Sequence, residues 1–280
     1  MKKRIESLKG TVRLSIARVS ANPMAQALMG RLANNLQFYM GIGSGGTPDA
    51  SGEGILFDLL LSRRSPPYCI IDAGANIGQF ASLALRFLGE GSSTIHCFEP
   101  SQSAYSVLQE KLGTHDGVLA SQLALGRENA SRTLFYDRPG STLASLTKRN
   151  LDFLGIEFSG SEQVRTESLG SYCNRLKIPS VDLLKIDVEG HELDVLAGAE
   201  ELILGGKIAM VSFEFGGCNI STRTFFQDFY SFFSRTDMRL YRITPGSTLV
   251  PIDQYREELE QFRTTNFVAL SRSLIGDPSA

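Results

Sequence analysis

The chain has 280 residues, 42% of them hydrophobic and 21% charged, with 28 Lys and Arg against 30 Asp and Glu. This composition excludes a disordered chain, which needs fewer apolar residues and a larger net charge. It also argues against a general nucleic-acid binder, which carries a marked positive excess. No uncharged apolar run reaches transmembrane length, and Cys69, Cys97, Cys173 and Cys218 lack CxxC or zinc-ligand spacing.

Residues 1–20 hold Lys2, Lys3, Arg4, Lys9, Arg13 and Arg18 against Glu6 alone, with Ile5, Leu8, Val12, Ile16 and Val19 at helical spacing. We expect a cap helix with a solvated basic face. The alternative is a peripheral helix drawn to anionic lipid, and the absence of large aromatics favours the cap. The N-terminus lacks the apolar block and cleavage site of a signal peptide, so the expected location is the cytoplasm. A second helix is predicted over Met24–Met40. The Gly-rich stretch 41–48 then breaks the chain, and without a Gly-Lys-Ser/Thr ending it is not a P-loop. Residues 1–60 thus read as an N-terminal helical extension.

From Tyr68 onward, apolar strands alternate with helices. Strands are expected at Tyr68–Asp72, Thr94–Glu99, Val118–Leu123, Ser131–Tyr136, Val181–Asp187, Ile208–Phe215, Met238–Ile243 and Asn266–Ser271. Helices are expected at Ile77–Leu88, Ser103–Leu112, Glu192–Leu204 and Thr224–Ser234. That alternation marks a doubly wound α/β sheet, whose ligands bind at the carboxyl ends of the strands. The segment Asp137–Val164 has no clear period and reads as a functional loop or lid.

Three motifs fall at predicted strand ends. Asp72-Ala73-Gly74-Ala75-Asn76-Ile77-Gly78 follows a buried strand and opens a helix, and its glycines permit close backbone approach to a ligand. It departs from the dinucleotide fingerprint G-x-G-x-x-G. A carboxylate at this turn suits a ligand with ammonium or hydroxyl donors and a positive centre, as in S-adenosylmethionine. In Ile95–Ser101 the next strand ends on Glu99, where an acidic residue accepts from ribose hydroxyls. In Asp182–Glu192, Lys185, Asp187, Glu189 and His191 crowd one strand end, which costs desolvation unless they pair or act. Glu214, at the end of the strand Ile208–Phe215, and Asn219, just after it, are candidate acceptor-wall residues, whereas Phe225 and Phe226 read as packing.

Residues 68–80 (YCIIDAGANIGQF), 95–100 (IHCFEP) and 181–200 (VDLLKIDVEGHELDVLAGAE) resemble the signature blocks of the FkbM family of S-adenosylmethionine-dependent methyltransferases. The resemblance implies a Rossmann-like class I methyltransferase sheet of seven strands, the last one antiparallel, over residues 66–275. It further implies S-adenosyl-L-methionine as cofactor and O-methylation of a small-molecule or glycan acceptor. Carried over by position, Asp72, Gly74, Asn76 and Gly78 would cradle the cofactor's amino-acid end, and Glu99 and Ser101 would lie at the ribose. Ala124 and Leu125 would lie near the adenine, and Asp187 near the methyl group.

A hydroxyl acceptor needs a base near neutral pH. His191 is the natural candidate; Asp187 or Glu189 beside Lys185 is the alternative, and no metal is expected. Two rival readings are a nicotinamide oxidoreductase, which Asn76 disfavours, and a non-catalytic protein retaining the fold.

Overall fold

The computed structural model describes residues 17, 19–46 and 50–276. The basic stripe of residues 1–20 falls almost wholly outside them. Helix α1 (Pro23–Tyr39) starts on Asn22, whose side chain accepts from the Ala25 N–H, and proline occupies its first position, a favourable pairing of cap and fixed φ. Helix α2 (Gly54–Arg63) was not expected; its Leu56, Phe57 and Leu60 are fully buried.

The central sheet has strands β1 (Tyr68–Ala73), β2 (Ser93–Phe98), β3 (Val118–Ser121), β7 (Leu183–Ile186), β8 (Met210–Phe215), β9 (Met238–Ile243), β10 (Leu249–Pro251) and β11 (Thr265–Ser271). Their order is β10-β9-β11-β8-β7-β1-β2-β3. Strands β3, β2, β1, β7 and β8 are parallel neighbours, while β11 pairs antiparallel with both β8 and β9. The antiparallel final strand is as expected; the short edge strand β10 makes eight strands rather than seven. Strand order reverses between β1 and β7, and ligand crevices form at such switch points.

Apolar helical faces cover both sides of the sheet. Helices α2, α3 (Gln79–Leu88) and α4 (Gln102–Leu112) bury Phe57, Phe80 and Leu108 against Ile70, Ile95 and Leu183. Helices α5 (Leu169–Leu176), α6 (Glu192–Gly198), α7 (Glu200–Leu204) and α9 (Phe226–Phe233) cover the other side, where Phe213 stacks on Phe229, Phe233 and Phe267. Helix α8 (Cys218–Thr222) follows β8, and α10 (Arg272–Ile275) ends the described chain. The single helix expected over Glu192–Leu204 divides at Ala199. A Cβ on the adjacent Gly198 would strike the carbonyl oxygen of Gly126.

The predicted strand at Ser131–Tyr136 forms, but in a separate small sheet. There β5 (Ala130–Tyr136) pairs antiparallel with β6 (Gly160–Glu167), which pairs with β4 (Ala124–Leu125). Strand β6 corrects the reading of Asp137–Val164 as one loop. Its exposed face is polar, so apolar alternation, the usual strand signal, is weak there.

Candidate active site

Register across the central sheet gathers the charged residues. Asp72 in β1 lies opposite Lys185 in β7, and Glu214 in β8 opposite Asn266 in β11. Parallel partners project to one face, and Asp187 follows Lys185 by a period of two. These groups border a cavity of about 450 Å³ at the carboxyl ends of β1, β2, β7 and β8.

The turn after β1 is held tightly. Gly74 has φ +82°, and a Cβ there would collide with the carbonyl oxygen of Asp187. Only glycine therefore lets the exits of β1 and β7 lie so close. Asn76 adopts φ +47°, and its N–H donates to Glu99 Oε2 at 2.8 Å; the Ser101 N–H donates to Glu99 Oε1 at 2.8 Å. Each oxygen of Glu99 thus keeps a lone pair for a further donor. Burial pushes the Glu99 carboxyl up to about 7, against those two amides.

Lys185 is buried, with Nζ 3.4 Å from Asp187 Oδ2, 3.6 Å from Glu53 Oε1 and 5.8 Å from the Phe80 ring centre. Burial alone would depress its pKa, but Asp187, Glu53, Glu214 and Asp72 together hold it well above the ordinary lysine value. Asp72 is buried and its Oδ2 has no hydrogen-bond partner among the described residues. Burial pushes its carboxyl up to about 7; Lys185 opposes the rise, while Asp187, Glu53 and Glu99 add to it. Burial and then Asp187 raise Glu214 well above the carboxylate range. Six carboxylates line the cavity (Glu53, Asp72, Glu99, Asp187, Glu189 and Glu214), and Lys185 is the only lysine or arginine among the described lining residues. Such a cavity favours a cation.

At the far rim, Glu189 Oε2 pairs with Arg149 Nη1 at 2.6 Å. Burial and then Asp187 push Glu189 up to about 8, with Arg149 opposing. The Ser145 hydroxyl donates to the Glu189 carbonyl at 2.7 Å, so the loop after β5 is pinned to the exit of β7. His191 Nδ1 lies 2.9 Å from Asp194 Oδ2, and Nε2 lies 3.0 Å from Thr147 Oγ1. An ionised carboxylate only accepts, so Nδ1 carries the proton toward Asp194, while Nε2 faces the Thr147 hydroxyl. Hydrogen bonding by His191 lowers the pKa of Asp194.

Of the residues singled out in the sequence, Asp72, Gly74, Asn76, Glu99, Ala124, Leu125, Lys185, Asp187, Glu189, His191 and Glu214 all line this cavity. Gly78 and Ser101, expected at the ligand, are not among the lining residues. A Cβ on Gly78 would press on the Leu108 and Leu112 methyls at 2.8 and 2.7 Å, so its conformation serves the packing of α3 on α4. Ser101 acts through its N–H on Glu99. Asn219, expected on the acceptor wall, turns away: its Nδ2 donates to buried Glu192 and its Oδ1 accepts from the Gly216 N–H. Glu53 and Asn266 also line the cavity, and Arg149 braces it, without any signal in the sequence. Asn266 is buried with Nδ2 unpartnered among the described residues.

Residues 72–241 match the Methyltransferase FkbM domain. The chain is 37% identical over 148 residues to Methyltransferase 1 of Beauveria bassiana, covering 47% of this chain and 58% of that protein. It is 30% identical over 155 residues to the 2-O-methyltransferase NoeI of Sinorhizobium fredii, covering 51% and 61%. It is 25% identical over 168 residues to the hexuronic acid methyltransferase AglP of Haloferax volcanii, covering 60% and 65%. The chain therefore spans less than two thirds of the length of these relatives.

Proposed function

The chain belongs to the FkbM family of methyltransferases, and from that premise we propose that it is a cytoplasmic, S-adenosylmethionine-dependent O-methyltransferase acting on a sugar, glycan or small natural product. The observation that carries this reading is the buried, unpartnered Oδ2 of Asp72 in a cavity lined by six acidic side chains and one lysine. A net-cationic cofactor fits that donor set. Asp72 would accept from its ammonium group, Glu99 from its ribose hydroxyls through the lone pairs left by Asn76 and Ser101, and Ala124 and Leu125 would flank its adenine. Bound there, the cofactor supplies an electrophilic methyl group on an excellent sulfonium leaving group. We take residues 66–275 as the methyltransferase domain and residues 1–60 as an extension that lends Glu53 to the cavity.

The chain's own residues would do two things. Lys185, Asp187 and Glu214 would position the reacting groups, since much of the acceleration of a displacement comes from holding the partners in line. His191 Nε2 would take the proton of the acceptor hydroxyl in place of the Thr147 contact, and Asp194 would steady the imidazolium through Nδ1. The names of NoeI and AglP support oxygen- and sugar-directed chemistry among relatives.

The test is transfer of a labelled methyl group from S-adenosylmethionine to a panel of glycans and hydroxylated metabolites. We expect turnover that His191→Gln lowers at least tenfold, with loss of the acidic limb of its pH profile. Tight nicotinamide binding without S-adenosylmethionine binding would overturn the proposal, and an unchanged pH profile would remove the imidazole as base.

A further inference from the structure

Helix α1 meets the domain through polar side chains near its C-terminal end, where Gln37 is half-buried. Asn34 and Gln37 accept from the Arg263 guanidinium, and the Gln37 amide donates to Gln261 Oε1 at 3.0 Å. At its end Ile42 is buried, which ties the helix to the domain. Met24, Leu28, Leu32, Leu36 and Tyr39 recur every three or four residues along the opposite side. They are 84%, 59%, 54%, 65% and 74% exposed, and no residue of the helix is buried. Single exposed leucines need no explanation, but a contiguous apolar stripe on a helix anchored by amides marks an interaction surface.

Charge decides what that surface meets. Residues 1–40 carry seven Lys and Arg against one Glu, and the remaining 240 residues carry 21 against 29. The apolar stripe therefore belongs to the one strongly cationic portion of a chain that is otherwise acidic. A second copy docked stripe against stripe would set the same cationic segment against itself. An anionic bilayer offers both an apolar layer for the stripe and negative headgroups for the cations, while repelling the acidic remainder. We propose that α1 is a peripheral membrane-docking helix, which lies in the headgroup layer of anionic membranes. The loop after α1 leads through Gly45 and Gly46 into the cavity wall, so docking would place the cavity near the membrane surface.

The full chain is sedimented with phosphatidylcholine vesicles, with and without phosphatidylserine. Expected is binding that requires phosphatidylserine, falls steeply with added salt, and drops more than tenfold in L28E/L32E/L36E. Removing cations in K2S/K3S/R4S should weaken it by about fivefold per charge. Because the three leucines are exposed, the glutamate variant should keep its melting temperature and S-adenosylmethionine affinity, which separates docking from misfolding. The proposal is overturned if the chain ignores both vesicle types, or if the glutamate variant binds as well as the parent. It is also overturned if sedimentation velocity finds a dimer that this variant dissociates, since a second copy then covers the stripe.

Discussion

Replacing Asp72 by asparagine should make the ligand-free protein more stable and the cofactor complex weaker. The folded carboxyl titrates at about 7 against an ordinary 3.8. Between those values the folded chain holds a proton that the unfolded chain has released. Stability therefore falls as pH rises through that window, and the cost is fully developed above pH 7. The difference corresponds to roughly 4 kcal/mol. Asparagine brings two donors into the same buried position, costing about 1–3 kcal/mol if they stay unpaired. The net gain at pH 8 is then about 1–3 kcal/mol, a rise of roughly 3–8 °C in melting temperature. The gain should fade as pH drops from 7 towards 4. Calorimetry with S-adenosylmethionine should record the opposite sign, a loss of about ten- to a hundredfold, as expected for removing a charge-assisted hydrogen bond. Differential scanning calorimetry across pH 4–8.5 provides the stability arm. A lower melting temperature at pH 8, or a gain independent of pH, would refute the view of Asp72 as a carboxylate held ready for a cation. Unchanged cofactor affinity would refute its role in binding.

Lys185→Met strips the ammonium from buried Glu53 and from Asp187 and should cost about 3–5 kcal/mol, read by urea denaturation at pH 8, with a smaller loss at low pH where the carboxyls protonate. Gly74→Ala should be destabilising by at least about 2 kcal/mol and should abolish cofactor binding, because its Cβ meets Asp187 backbone rather than a movable side chain; a near-parental melting temperature would contradict this. Arg149→Ala leaves Glu189 without its partner, so the loop after β5 should become protease-sensitive and turnover should fall, while S-adenosylmethionine affinity changes little. Asn219→Ala should destabilise by about 1–3 kcal/mol by leaving Glu192 Oε2 and the Gly216 N–H without their partner, with cofactor affinity preserved, which distinguishes a structural from an acceptor-binding asparagine.

The strand-and-turn motifs were readable in the sequence because their information is local. A buried strand ending on Asp72, a turn that needs glycine at 74 and a carboxylate at 99 are each specified within a few residues. The alternation of apolar strands with helices then orders them along one sheet edge. The register that sets Asp72 beside Lys185 and Glu214 beside Asn266 belongs to the assembled sheet. So does the arrival of Glu53 from α2 and of Arg149 from the loop after β5, each separated from its partner by a long stretch of chain. Asn219 illustrates the converse: its position after a site strand suggested a ligand contact, and only the packing of α8 against Glu192 directs its amide inward. Helix α1 divides in the same way. Its apolar period is written in the sequence, whereas the direction that the apolar side faces was decided by three amide and guanidinium contacts in the tertiary structure, because hydrophobic spacing defines a stripe but not what covers it.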